Sequence, residues 1–301
     1  MKATNELTSS ETKNLTRRAF LATAGGAALL TLSACSHAGT SNTDAAHDSS
    51  QKNLRGSLSL AGSTSMQKVC EALRETFMEK YPNVRVSVEY TGSSAGIEAL
   101  NAKRCDIANS SRELKAAELQ AGLLPNVIAI DALAIILNPA NPITSLTTEQ
   151  LKSIYKGQIR SWKDCGGSEE SIIAIGRENG SGSRSAFEEL LSLKDSARYA
   201  QELDSTGAVL AKVAATPGGI GYISLDVMND RVHAVALDGI QPTSDAIAQK
   251  RYSLVRPFIM ATKGEISSQT PLVQAWFNYI NSQEGKEIIK ASGLILPSGA
   301  A

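Results

Sequence analysis

From about Gly56 onward, apolar and polar positions follow two alternating regimes: short β-branched and apolar runs, then longer stretches whose apolar residues recur every three or four positions. The short runs predict strands over residues 58–61, 84–90, 106–109, 127–137, 172–175, 221–224, 232–236 and 254–260. Helical spacing is clearest over 65–80, where Val69, Leu73, Phe77 and Met78 share a face and Pro82 lies just beyond the end. Further helices are expected to start near Ala95, Ala116, Thr148, Ser183, Gly207 and Ser268. Strand alternating with helix predicts an α/β fold with largely parallel sheets. No repeat of solenoid length interrupts the pattern.

The long apolar run 127–137 ends in Asn138-Pro139-Ala140-Asn141-Pro142, and prolines this close together stop a regular ladder. A crossover between domains is expected there, and a second near 224–230, after the turn and strand at Gly218-Gly219-Ile220-Gly221-Tyr222. This gives a discontinuous domain of residues 56–138 plus 227–301, an inserted domain of 139–226, and two crossing strands that form a hinge.

Residues 1–35 depart from this pattern and read as an export signal. Thr16-Arg17-Arg18-Ala19-Phe20-Leu21 places an arginine pair before a weakly apolar run over 22–34, too short to span a bilayer. Twin-arginine export is expected, with Sec export as the alternative. The run closes on Leu32-Ser33-Ala34-Cys35, which resembles a bacterial lipobox, so Cys35 is the expected lipid attachment point and the protein an extracytoplasmic one anchored to the membrane. A plain cleaved signal with an incidental cysteine is the other reading. Residues 36–55 hold almost no large apolar side chain and are expected to form a flexible tether, whose His37 and His47 lack neighbouring metal ligands.

Composition narrows the partner. The 30 basic and 30 acidic residues cancel, aromatics make up 5%, and no Lys/Arg cluster exceeds a solvated helix face, which excludes nucleic acid as a partner. Cys70, Cys105 and Cys165 match no zinc or redox spacing, and no metal or other cofactor is expected. A Cys70–Cys105 disulfide and buried, unpaired thiols are both open on the sequence.

Four segments share one design, a strand that ends in a Gly/Ser/Thr turn opening a helix: Gly62-Ser63-Thr64-Ser65-Met66, Gly92-Ser93-Ser94-Ala95-Gly96, Asn109-Ser110-Ser111-Arg112 and Arg177-Glu178-Asn179-Gly180-Ser181-Gly182-Ser183-Arg184. A helix start carries about half a positive charge and several unpaired N–H donors, so each is a seat for an anion. One such turn alone is an ordinary N-cap. In doubly wound sheets these turns gather at the carboxyl edge, and two facing edges would surround a small anion with neutral donors and the fixed charge of Arg177. Such an arrangement suits phosphate, a dianion that needs many charge-assisted hydrogen bonds to replace its hydration.

In order and spacing, GSTSM, YTGSSAGI, CDIANSSR, RENGSGSR, GGIGYIS and YSLVRPFIMATK resemble the phosphate-binding proteins of bacterial phosphate ABC transporters, over nearly the whole chain from Gly56. The resemblance implies two doubly wound α/β domains joined by a two-strand hinge, the type II periplasmic-binding-protein architecture. It implies a monomer without catalysis that hands inorganic phosphate to permease subunits. Position by position it implies that Thr64 and Ser65 bind through hydroxyl and backbone, Ser93 from the second turn and Ser111 at the third, with Arg177, Ser181, Gly182 and Ser183 contacting the anion from the inserted domain. Some members carry aspartate where this chain has Ser111 and Asn179, so the acceptor for a hydrogen-phosphate proton must be another group here.

Two alternatives stand beside this reading. Another tetraoxyanion, such as sulfate, molybdate or tungstate, would use the same turns. Gly92-Ser93-Ser94-Ala95-Gly96 also fits the G-x-S-x-G elbow of a serine hydrolase with Ser94 as nucleophile. Its only histidine in the folded region is His233, and no oxyanion loop precedes Ser94, which weighs against that reading.

Overall fold

The computed structural model describes residues 54–297; the export signal, Cys35 and the tether as far as residue 53 lie outside it. In chain order the first part reads β1 (Gly56–Gly62), a 3-10 turn over Thr64–Met66, α1 (Gln67–Lys80), β2 (Val84–Glu89), α2 (Ser93–Asn101), β3 (Ile107–Ser110), α3 (Ala116–Gln120) and β4 (Leu123–Leu137). The middle holds β5 (Ser145–Leu146), α4 (Thr148–Tyr155), β6 (Ile173–Arg177), α5 (Gly182–Leu190), β7 (Gln201–Leu203), α6 (Thr206–Ala214), β8 (Gly219–Ser224), β9 (His233–Ala234), β10 (Ala236–Leu237) and α7 (Ser244–Ala248). The chain closes with β11 (Val255–Lys263), α8 (Pro271–Asn281) and α9 (Gln283–Ala291).

Each predicted strand is present, and the helices start within a few residues of the expected positions. The last expected start moves from Ser268 to Pro271, because Thr270 caps the helix by accepting from the Val273 amide and proline suits the first helical position. α7, α9 and the short strands β5 and β7 had no distinct signal in the pattern.

The main sheet runs β2-β1-β3-β11-β4-β8-β6-β7, with β9 on β4. β1 is parallel to β2 and β3, and β6 is parallel to β7 and β8, as the alternating pattern implies. The two sets are joined by β4 and β11, which pair antiparallel with each other. The chain leaves the first set on β4 and returns on β11, so these strands must run in opposite directions.

Packing divides the molecule into two halves. In the first, Leu58 and Leu60 of β1 meet Val69, Cys70, Leu73 and Phe77 of α1, and Phe77 sets its ring edge against Trp276 of α8 at 5.0 Å between centroids. In the second, Tyr155, Trp162, Phe187 and Tyr222 form an aromatic core in which Phe187 stacks on Tyr222 at 4.0 Å. Within β4 the allegiance changes between Ala129, which packs in the first core, and Ala132, which packs in the second. At the start of β11 it changes back, between Val255 and Phe258. Val235, Leu237, Ala246, Ile247 and Tyr252 all pack in the second core, although the sequence reading assigned residues from 227 onward to the first domain. We therefore propose that the crossings fall near Asp131, inside β4, and near Arg256, at the start of β11, rather than at the proline-rich turn and at 224–230.

Cys70 and Cys105 are buried and unpaired, so of the two readings open on the sequence the free thiols are what the structure contains. Burial pushes the Cys105 thiol up to about 11 and raises that of Cys70 further. Among the described residues, no helix is long and apolar enough to cross a membrane.

Candidate anion-binding site

Three of the four predicted turns open helices as expected. β1 hands over to the 3-10 turn, where Ser63 Oγ accepts from the Ser65 amide at 3.3 Å. Gly92, at φ +91°, turns the chain into α2, a conformation that a side chain would strain. Ser181 caps α5 by accepting from the Arg184 amide at 3.3 Å. The third turn differs: β3 ends at Ser110 and the next helix starts only at Ala116, so Asn109–Arg112 is no helix start. There Ser110 Oγ donates to the Arg112 carbonyl at 2.9 Å, which folds the segment back and brings the Ser111 amide within 3.2 Å of Ser93 Oγ.

A turn absent from the sequence reading takes its place. Ser205 caps α6, which puts Thr206 at a helix start beside the others. The signal was present in Ser205-Thr206-Gly207, the same small hydroxyl-and-glycine signature, but no apolar strand of normal length precedes it. Only the three residues of β7 do.

These segments meet between the two halves in a network of buried hydroxyls. Ser65 Oγ lies 2.7 Å from Ser183 Oγ and 3.0 Å from Thr206 Oγ1, and Thr64 Oγ1 lies 3.1 Å from Thr206 Oγ1. Ser63 Oγ donates to Ser111 Oγ at 2.8 Å, and Ser93 Oγ stands 3.4 Å from Ser111 Oγ. Gly182 closes the gap between the halves, since a methyl group there would sit 2.2 Å from Ser93 Oγ. The Ser94 amide donates across to the Gly180 carbonyl at 3.0 Å. Thr64, Ser65, Ser93, Ser111, Gly182 and Ser183 thus converge with Arg177, whereas the Ser181 hydroxyl is engaged in capping.

Arg177 is 2% exposed and projects from the end of β6. Its Nε and Nη2 donate to the carbonyls of Leu203 and Asp204 at 3.0 and 2.7 Å, and its Nη1 to Thr206 Oγ1 at 3.3 Å. Among the described residues no carboxylate forms an ion pair with it; the nearby Glu188 pairs instead with Arg184 at 2.8 Å. Burial lowers the Arg177 pKa, against the pull of Tyr222, Glu178 and Asp204, and the like charge of Arg256 adds to the lowering.

Arg256 itself was not foreseen. It donates through Nε to Asp131 Oδ2 at 2.8 Å and through Nη1 to Ser183 Oγ at 2.7 Å. The only signal is a basic residue at the buried start of the apolar strand Val255–Lys263, whose other basic residue, Lys263, is exposed at the far end; charge is seldom buried without purpose. Behind it Asp226 is buried with both carboxylate oxygens unpartnered, and burial together with Asp131 pushes it up to about 7. Burial also raises Asp131, against the pull of Arg256.

Ser94 does not face a histidine. Its Oγ accepts from Arg112 Nη2 at 3.3 Å, and His233 Nε2 lies 2.9 Å from the Ile143 carbonyl.

A family model described as a PBP superfamily domain matches residues 42–284. The chain belongs to this family. It is 30% identical to the phosphate-binding protein PstS of Bacillus subtilis over 277 residues, covering 89% of this chain and 90% of that protein. A substrate-binding protein of Clostridium perfringens solved with bound phosphate superposes with a TM-score of 0.78 at 36% identity, covering 81% of this chain and 100% of that one. An ABC-type phosphate transport receptor from Vibrio cholerae gives 0.68 at 35% identity, covering 80% and 100%. The PBP fold of this chain is the type II periplasmic architecture, with strand ends and helix starts of both halves directed at one cleft.

Proposed function

We propose that the chain binds inorganic phosphate between its halves and delivers it to an ABC transporter. Arg177 carries this reading. A guanidinium buried without a carboxylate is costly unless a charge of opposite sign comes to it. The hydroxyls beside it have as partners, among the described residues, one another, backbone groups and two guanidiniums. A tetrahedral oxyanion supplies the missing negative charge and enough acceptors for that many donors. The relatives from Bacillus subtilis and Vibrio cholerae, named for phosphate binding and phosphate transport, support the same ligand.

Thr64, Ser65, Ser93, Ser111, Arg177, Ser181, Gly182 and Ser183 form the proposed phosphate contacts, with Thr206 added. Binding closes the cleft, and the closed form docks on the permease as a monomer. A lipid on Cys35 and the tether after it hold the protein outside the membrane near that permease, which raises the effective concentration. Among the described residues Ser94 Oγ accepts from Arg112, and its hydrogen bonds include no histidine, so no catalytic role is proposed.

Ser111 in place of an acidic residue favours one second reading, a site that also admits fully ionised sulfate. Calorimetric titration of the anion-stripped protein with phosphate, sulfate and molybdate decides. Tight phosphate binding with no sulfate response is the expected result; binding of sulfate or molybdate alone would replace the ligand and keep the fold.

A further inference from the structure

In the register of the crossing strands, Arg256 of β11 stands directly opposite Asp131 of β4. The pair is sealed from solvent, with side-chain exposures of 1% and 0%. Nη2 also lies 2.8 Å from Asp131 Oδ2 but is not aligned to hydrogen-bond it. Nη1 turns away from the pair, to Ser183 Oγ at 2.7 Å and the Ser111 carbonyl at 3.3 Å. Ser111 belongs to the first half and Ser183 to the second. A single guanidinium rooted in the hinge therefore holds one site segment from each half.

That contact decides how Ser183 behaves. A hydroxyl that accepts from a guanidinium has one proton left to give, and the other neighbour of Ser183 Oγ is Ser65 Oγ at 2.7 Å. Thr206 stands in the same position, accepting from Arg177 Nη1 and adjoining the same Ser65 Oγ. Two buried cations thus bias two hydroxyls on the second half to act as donors. Arg177 and Arg256 also repel each other across the hydroxyls, a strain that an anion seated among them removes.

We propose that Arg256 is the second cation of the anion site, a positioning residue that turns Ser183 into a donor and ties occupancy to the strands of the hinge. The inference rests on the oxyanion reading above. Asp131 serves to hold the guanidinium, as an oriented dipole whose positive end points at Ser183. The other charged or titratable groups around it are Arg177 on β6, Asp226 after β8, and Lys68 of α1, whose Nζ donates to the Asp226 carbonyl at 2.6 Å.

A competing role for Arg256 is to neutralise Asp131 and nothing more. Titration of the purified full chain with phosphate and with sulfate separates the two, using Arg256→Gln, Arg256→Lys, Asp131→Asn and the double variant Arg256→Gln/Asp131→Asn. Loss of a charge-assisted donor should weaken phosphate binding on the order of 10- to 100-fold in Arg256→Gln. The double variant removes both members of the buried pair and so orphans neither charge, which lets it fold even if Arg256→Gln does not. It should bind as weakly as the single variant, and Arg256→Lys should recover part of the loss. Wild-type affinity in the double variant, or in a folded Arg256→Gln, overturns the proposal. A wild type that takes sulfate and ignores phosphate overturns the ligand reading alone, and the same comparison is then made with sulfate.

Discussion

Gly182→Ala tests whether ligand binding requires the two halves to meet as closely as they do here. The added methyl group would lie 2.2 Å from Ser93 Oγ, 2.7 Å from Ser111 Oγ and 3.0 Å from Ser93 Cβ, all groups of the opposite half. Ordinary contacts of this kind lie near about 3.5 Å, so the halves must part by roughly an ångström or the serines must give way. Rotating Ser93 relieves its oxygen but not its Cβ. Overpacking of this order costs roughly 1 to 3 kcal/mol, and the whole cost falls on the closed state, which corresponds to a phosphate dissociation constant raised about 5- to 150-fold. The second half taken by itself should not suffer. Gly182 is absent from the positive-φ positions and opens α5, where alanine is favoured over glycine by about 0.5 to 1 kcal/mol. Calorimetry should therefore show weak binding by a protein whose unliganded melting temperature is unchanged or higher. Wild-type affinity in this variant would refute a mechanism in which the anion is gripped by close approach of Gly182 to Ser93 and Ser111.

Arg177→Ala should raise the phosphate dissociation constant by about 100-fold or more while leaving the unliganded fold intact, because the residue removed is a buried charge without a carboxylate partner; titration and a thermal melt check both. Asp226, pushed up to about 7 from 3.8 by burial and by Asp131, keeps its proton in the folded chain at pH values where the unfolded chain has lost it. Its contribution to stability is therefore complete below about pH 4 and lost as pH rises through 7. Asp226→Asn should remove that loss, so the variant's melting temperature should gain on the wild type by about 2 to 4 °C per kcal/mol between pH 5 and pH 8; a constant difference would show that Asp226 does not titrate there. Phe77→Ala, which empties the ring packed on Tyr81, Trp276 and Tyr279, should destabilise the first half by about 3 to 5 kcal/mol in denaturant melts.

The strands were legible because alternating and continuous apolar runs leave a period, and the serine turns because helix starts favour hydroxyls. The hinge was not. β4 is apolar from one core into the other, so Ala129 and Ala132 look alike in sequence although they pack in different halves. The eye is drawn instead to Pro139 and Pro142, which mark the end of the strand and not the change of core. The site was legible where a residue type announces its use, as at Arg177 and Ser183. Arg256 and Asp131 escaped because their meaning is pairwise: each is one charge in an apolar run, and only the antiparallel register sets them side by side. Ser111 stands beside Ser63 and Ser93 for a different reason from the one expected, since a folded-back loop, and not a helix start, delivers it.

The ladder of β4 and β11 extends from Leu123 to Ala132 on one strand and from Val255 to Lys263 on the other, broken only by an irregularity between Phe258 and Ile259. A link of this kind behaves as a torsion ribbon. A change in the angle between the halves is spread as a few degrees of extra twist over many residues, so no rung of the ladder has to break and no loop has to be reordered. Such a ribbon has a rest angle and a restoring torque, so the closure proposed for phosphate capture would be short and reversible. Its amides, and the Leu133 amide bonded to the Leu254 carbonyl at 2.8 Å just beyond its end, should stay protected from deuterium exchange with and without phosphate, while those of the Ser93 and Ser111 turns change with loading.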